Sequence, residues 1–112
     1  MPTISTCGPA DRRTEFTYRR SVPNGIIIEF ESGDFEIPAR TIEAVINRFR
    51  GQTVRGGFSM TDPTPGGVGE FLQQMGDGLT PRHASFLCAV LGHEGYASCR
   101  LDGNAVVVEF NA

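Results

Sequence analysis

Short segments in which apolar and polar residues alternate lie near both ends of the chain, and this period of two is typical of half-buried β-strands. Near the start, residues 14–20 and 26–31 show it, and Ser32-Gly33 suits a tight hairpin loop. A two-residue loop there pairs Phe30 with Phe35 and makes one face of the hairpin apolar. We therefore predict an antiparallel hairpin whose second strand ends at residue 37.

A second hairpin is predicted at the end of the chain, over residues 96–101 and 105–110. The intervening Gly103-Asn104 suits a type II′ turn, in which glycine comes first. This loop pairs Leu101 with Val106 and again collects the apolar side chains on one face. Both hairpins are thus predicted from turn chemistry and alternation together.

Three segments repeat apolar residues every three or four positions, as an α-helix with one buried face does. They cover residues 39–50, 67–75 and 81–91. The third segment is apolar nearly all round, which is typical of a buried helix. We expect Thr80 to be its N-cap and Gly92 to end it.

Residues 51–67 are rich in glycine and proline and predict an irregular connection, with room for a short strand within residues 53–60. All elements together predict an α+β fold in which three helices pack on one face of a mostly antiparallel sheet made of two hairpins. The length favours one domain, which we place at residues 14–112. Residues 1–13 are expected to be a flexible N-terminal tail.

The charge balance limits the classes of partner. The chain of 112 residues has a net charge of -3 at pH 7, so it has no general attraction to nucleic acids or anionic membranes. All ten basic residues are arginine, which excludes P-loop and Schiff-base chemistry because both need lysine. No apolar run suggests a signal peptide or a membrane span, so we expect a cytoplasmic protein.

Cysteines and histidines offer little chemistry. The three cysteines are odd in number and none is spaced as C-x-x-C, so a reducing cytoplasm is the simplest setting. Ten residues of helix would hold His83 and His93 roughly 15 Å apart, too far to share a metal ion. We predict no metal and no cofactor. A reactive pair of Cys99 with a histidine is a minor alternative.

The preferred functional hypothesis is based on four acidic residues on the polar side of the first hairpin: Glu29, Glu31, Asp34 and Glu36. Such a face would dock on an arginine- or lysine-lined surface of another protein. We therefore expect a small, non-enzymatic protein-interaction module. An inhibitor or regulator of the kind carried by phages or mobile elements would have this size and charge, and a homodimer is left open.

A winged-helix DNA-binding regulator is the second hypothesis, with helix 81–91 as the recognition helix and residues 96–110 as the wing. Its candidate contacts are Arg82, His83, Ser85, Arg100 and Asn104. It ranks lower because the chain lacks a basic stripe. An enzyme ranks last; it would use the glycine-rich start of the second helix as an anion site, together with His83 or Asp62.

Overall fold

The computed structural model describes residues 3–8, 13–20, 22–103 and 105–111. Its strands and helices follow the chain as β1 (Ile4–Ser5), β2 (Glu15–Arg19), β3 (Ile26–Phe30), β4 (Gly33–Ile37), α1 (Ala39–Phe49), β5 (Thr53–Arg55), α2 (Val68–Gln74), α3 (His83–His93), β6 (Ala97–Asp102) and β7 (Ala105–Phe110). The strands form two antiparallel sheets, ordered β1-β2-β3-β4 and β5-β7-β6. The predicted α+β class is confirmed, and the two hairpins belong to separate sheets rather than to one.

One hydrophobic core joins both sheets and the three helices. Its fully buried side chains include Ile26, Ile28 and Ile37 from the four-stranded sheet, Val108 from the three-stranded sheet, and Phe49, Leu72, Leu87 and Leu91 from the helices. Each is an inward position of a strand or helix whose other face is polar, or belongs to the nearly all-apolar α3. Hydrophobic burial of these positions is the main stabilising contribution.

The first hairpin turns one residue earlier than predicted. Its loop is Glu31-Ser32, so Phe30 pairs with Gly33, and the predicted pairing of Phe30 with Phe35 is wrong. The observed register instead places Ile26 opposite Ile37, and both are fully buried. Because the pairing slips by two residues, every side chain keeps its predicted face.

The final hairpin has the predicted register. Leu101 pairs with Val106 and Cys99 with Val108. Gly103 has a φ of 65°, and the first position of the predicted turn requires such a positive value. Asn104, the second turn residue, lies outside the described residues.

The start of the chain holds an edge strand that the expected tail did not include. Ile4 pairs with Phe16, which joins β1 to the four-stranded sheet. Two residues after the end of β1, Cys7 forms a disulfide with Cys99 of β6, with the two Cα atoms 6.2 Å apart. A two-residue strand is too short to show alternation, which explains why the sequence pattern missed it.

Helix α3 begins and ends later than predicted. A turn precedes it, in which the His83 N–H donates to the Thr80 carbonyl oxygen. Thr80 is therefore not the N-cap; its own N–H donates to Nδ1 of His83 at 3.1 Å. At the other end, Gly92 lies within the helix, and Gly95 ends it with a φ of 87°. The Tyr96 N–H bonds back to the Leu91 carbonyl, which completes a Schellman motif.

The glycine-rich connection between α1 and α2 is fastened by backbone contacts. It contains β5, which pairs Val54 with Val108. Gly69 of α2 packs so closely that a Cβ atom there would lie 2.0 Å from the Gly57 carbonyl oxygen. The Gly69 N–H also donates to the Gly56 carbonyl oxygen at 2.8 Å. The glycines thus allow α2 to rest directly on the preceding backbone.

Candidate functional site

Three of the four predicted acidic residues share the outer face of the four-stranded sheet. Glu29 lies opposite Asp34, and Glu36 lies opposite Ile27 on the same face. The loop predicted at Ser32-Gly33 would place Glu29 opposite Glu36, and this pairing is wrong because the register is shifted. Glu31 is an exposed residue of the hairpin loop at the end of this face. We call these four residues the acidic hairpin face.

Arginines of the neighbouring strand offset part of this negative charge. The Arg19 guanidinium lies 2.9 Å from the Glu29 carboxylate, and the Arg20 guanidinium lies 3.4 Å from that of Glu36. Four carboxylates and two guanidinium groups leave a net charge of -2 here. Sequence reasoning missed these pairs because they depend on how β2, β3 and β4 are aligned within the sheet. Exposed pairs of this kind contribute little stability.

The residues proposed to bind nucleic acid differ in their exposure. Arg82 lies exposed at the turn before α3, whereas Ser85 is buried and its hydroxyl donates to the Arg82 carbonyl oxygen at 2.7 Å. Arg100 is exposed on β6. Helix α3 is buried along most of its length, so it cannot enter a DNA groove as a recognition helix does. This burial argues against the winged-helix hypothesis.

His83 is held as a neutral imidazole beside Arg82. Its Nδ1 accepts the Thr80 N–H, and its ring lies against Phe35 with centroids 4.2 Å apart. Burial lowers the pKa of His83, and the positive charge of Arg82 lowers it further. Among the residues that the structure describes, no carboxylate forms an ion pair with Arg82.

A groove of about 520 Å³ opens where the end of β1, the three-stranded sheet and the start of α3 meet. We call it the arginine groove, because Arg55 and Arg82 line it together with hydroxyl groups and apolar side chains. No acidic residue of the described chain is among its lining. In a chain of net charge -3, this is a local concentration of positive charge.

Hydroxyl groups around the arginine groove have protons available to donate. Oγ1 of Thr6 accepts the Thr14 N–H at 2.9 Å, and Oγ of Ser59 accepts the Asp62 N–H at 3.0 Å. Thr6 and Ser59 both line the groove. An oxygen that accepts a bond keeps its O–H proton as a donor. For Ser59 a ligand would compete for this proton with Oγ1 of Thr61, which lies 3.4 Å away.

Aromatic and aliphatic side chains form the remainder of the groove wall. Phe58, Phe86 and Val106 contribute apolar surface. A Cβ atom at Gly56 would lie 2.5 Å from the Phe58 ring, so the ring lies directly over the backbone of Gly56. The glycines of this connection therefore shape the wall of the groove.

The glycine-rich start of α2 is not arranged as an anion site. The N–H groups of Gly66, Gly67 and Gly69 donate to the Glu70 carboxylate and to the carbonyl oxygens of Thr64 and Gly56, respectively. These donors are therefore already occupied. Neither Asp62 nor His83, the residues considered for an enzyme, lines the arginine groove.

The cysteines are a disulfide and a buried thiol. Because Cys99 is bonded to Cys7, the alternative of a reactive Cys99–histidine pair is wrong. Cys88 is fully buried, and burial raises the pKa of its thiol to about 12. The disulfide borders the groove, since Cys7 is part of its lining.

Within the described part of the chain, no group of three or more His, Cys, Asp or Glu residues is placed to hold a metal ion. Among the same residues, no helix has the length and apolar character needed to cross a membrane.

Comparison of the chain with models of protein families, with curated proteins and with solved structures finds no match. Any account of function therefore depends on the residues themselves.

Proposed function

We propose that this protein is a non-enzymatic interaction module that binds another protein through the outer face of its four-stranded sheet. The observation that supports it is an uncovered face of net negative charge. Asp34 and Glu36 are exposed, whereas Ile27 is half-buried between charged neighbours. An apolar centre with a charged rim is the usual anatomy of a protein interface.

The partner would present arginine or lysine side chains, which steer association towards the acidic hairpin face. The role of an inhibitor or regulator, of the kind carried by phages or mobile elements, belongs to the same proposal. A homodimer through this face would bring like charges together, so a second copy is the less favoured occupant.

The disulfide is evidence about the redox environment in which the protein works. The expected reducing cytoplasm assumed that the cysteines are unpaired, and the Cys7–Cys99 disulfide removes that basis. Because disulfides persist in oxidising environments, we propose that the protein works in one. Mass spectrometry of protein isolated under thiol-blocking conditions from the native host would measure the oxidised fraction.

The role of the acidic hairpin face is tested by reversing the charge of its two residues that form no ion pair within the described chain. Glu31→Arg and Asp34→Arg together should slow association with the partner and flatten its salt dependence, because rim charges act mainly on the association rate. Glu43→Arg with Glu109→Arg is the matched control, since both residues are exposed and lie outside this face.

The partner is first isolated from native-host extract with the parent protein as bait. Association rates are then measured at low and high ionic strength for the parent and both double variants. Equal rates and equal salt dependence for all three proteins would place the interface elsewhere.

A further inference from the structure

We infer that the arginine groove is a binding site for a small organic phosphate monoester, held by Arg55 and Arg82. This site is separate from the acidic hairpin face and shares no residue with it. The inference therefore does not depend on the proposed protein partner, and either can fail without the other.

Arg55 and Arg82 are among the arginines that have no carboxylate partner in the described chain, and they are distinguished by lining one groove together. Arg19, Arg20 and Arg40 each form an ion pair with a carboxylate. Among the described residues, the guanidinium groups of Arg55 and Arg82 form none, although the chain has 13 acidic residues. Two unpaired guanidinium groups on one groove without an acidic side chain favour an anionic ligand.

The charge and the donors match a phosphate monoester better than a carboxylate. A phosphate monoester carries a charge of roughly -1.5 to -2 at neutral pH and has three strong acceptor oxygens. Arg55 and Arg82 supply two positive charges, and the hydroxyls of Thr6 and Ser59 supply further donors. A carboxylate has one charge and two oxygens, so it would leave part of this donor set unused.

The size and the wall of the groove indicate that the phosphate is carried by an organic group. The volume of about 520 Å³ lies within the range of roughly 300–1,000 Å³ that is usual for small-molecule sites and is far larger than one phosphate needs. Phe58, Phe86 and Val106 offer apolar surface to the rest of the molecule. The predicted ligand thus has a phosphate at one end and an apolar or aromatic body at the other.

Phenyl phosphate is the probe, because it combines a phosphate monoester with one aromatic ring. Its binding to the full chain is measured by calorimetry and by two-dimensional NMR of the amide groups. We expect saturable binding, with the largest amide shifts at Gly8, Gly57 and Ser59, which line the groove. Phenol, which lacks the anion, and benzoate, which is a carboxylate, should bind at least about tenfold more weakly, a difference of roughly 1.4 kcal/mol.

Charge-removing variants connect the binding to the groove. Arg55→Gln and Arg82→Gln should each weaken phenyl phosphate binding by about tenfold or more, since a hydrogen bond to a charged group contributes roughly that factor. Arg100→Gln is the matched control: this arginine is also exposed and unpaired in the described chain, but it lines a smaller cavity of about 250 Å³ beyond the disulfide. The affinity of the Arg100→Gln variant for phenyl phosphate should equal that of the parent.

Several results would overturn the inference. They are an absence of saturable phenyl phosphate binding, equal affinity for phenol, and amide shifts confined to other regions. An effect of Arg100→Gln equal to that of Arg55→Gln would move the ligand to the smaller cavity. Salt-sensitive binding of duplex DNA that phenyl phosphate cannot displace would assign the arginines to a nucleic acid instead. The shift map uses the parent protein, so the test holds even if a variant fails to fold.

Discussion

At the scale of single residues, the carboxylate of Asp77 fastens the turn after α2 to the start of α1. It accepts hydrogen bonds from the Thr41 hydroxyl and, at 2.8 Å, from the Arg40 guanidinium. The Thr41 bond, followed by the Arg40 bond, lowers the pKa of Asp77 below its ordinary value of 3.8. The folded state therefore binds this proton less readily than the unfolded state.

Asp77 is expected to contribute to the pH dependence of stability. Its stabilising effect is present above the unfolded-state pKa and is lost as the pH falls through the lower folded-state value. Asp77→Asn should lower the urea midpoint at neutral pH and reduce the loss of stability below about pH 4. Urea titrations across the acid range measure this, with the exposed Asp62→Asn as control. Parallel curves for the parent and Asp77→Asn would contradict the assignment.

Two helical glycines should respond to alanine with opposite signs. At Gly69 a Cβ atom would lie 2.0 Å from the Gly57 carbonyl oxygen, whereas at Gly92 the nearest such atom is 3.6 Å away. We expect Gly69→Ala to lower the free energy of unfolding by about 1–3 kcal/mol through overpacking. Gly92→Ala should raise it by about 0.5–1 kcal/mol, because alanine favours a helix. Denaturant midpoints of the two variants and the parent measure these changes in stability. If both variants change the stability in the same direction, the close contact at Gly69 is refuted.

At the scale of elements, one carboxylate joins the end of α3 to the four-stranded sheet. Glu94 accepts the Tyr18 hydroxyl at 2.7 Å and the Val22 N–H at 3.1 Å. Burial first, and then the bond to Glu94, raises the pKa of Tyr18. The hydroxyl therefore stays protonated and remains a donor well above neutral pH.

Loss of that donor should destabilise the junction. Tyr18→Phe is expected to lower the free energy of unfolding by about 1–3 kcal/mol, the range for a hydrogen bond to a charged group. Tyr96→Phe is the matched control, because the Tyr96 hydroxyl has no hydrogen bond within the described residues. Thermal and urea unfolding of both variants provide the comparison. If Tyr96→Phe lowers the free energy of unfolding as much as Tyr18→Phe does, the contact with Glu94 is not the cause of the destabilisation.

Elements that depend on local pattern were predictable, and contacts between distant segments were not. The final hairpin follows from Gly103 and alternation, and α1 follows from its apolar stripe. In the first hairpin, Ser32-Gly33 and Glu31-Ser32 both allow a tight loop with the same inward face. The observed loop places Ile26 opposite Ile37, whereas the predicted loop would place the equally buried Ile28 there. Turn chemistry and alternation alone therefore do not determine the register of this hairpin.

At the scale of the whole molecule, the candidate sites could be predicted from the sequence only where their residues are close together along the chain. The acidic hairpin face could be predicted because its residues are neighbours in sequence, but the arginines that partly neutralise it lie on another strand. The arginine groove brings together segments near residues 6, 55 and 82. No local spacing indicates such a meeting, because it depends on how both sheets pack around α3.

The disulfide should be visible in the count of reactive thiols. Under native conditions without reductant, we expect no rapid labelling, because Cys88 is buried and its pKa is raised. Denaturation should expose one thiol, and denaturation with reductant should expose three. Intact mass spectrometry after alkylation counts them. Three labelled thiols without reductant would show that Cys7 and Cys99 are not bonded.

Removal of the disulfide should also destabilise the fold. Cys7→Ser with Cys99→Ser should lower the free energy of unfolding by about 2–5 kcal/mol, because a long closed loop restricts the unfolded chain. Reductant should shift the urea midpoint of the parent in the same direction. The same reductant should leave the double variant unchanged, and a shift there would point to a different cause.

The same bond closes the chain from Cys7 to Cys99 into a covalent ring. Cys7 and Cys99 are 92 positions apart, so the loop around the exposed Met60 lies within the closed part. A protease that cuts there opens the ring without dividing the molecule. The piece bearing Arg55 and the piece bearing Arg82 stay covalently joined through sulfur. A nicked molecule would therefore keep its full mass until a reductant separates the two halves.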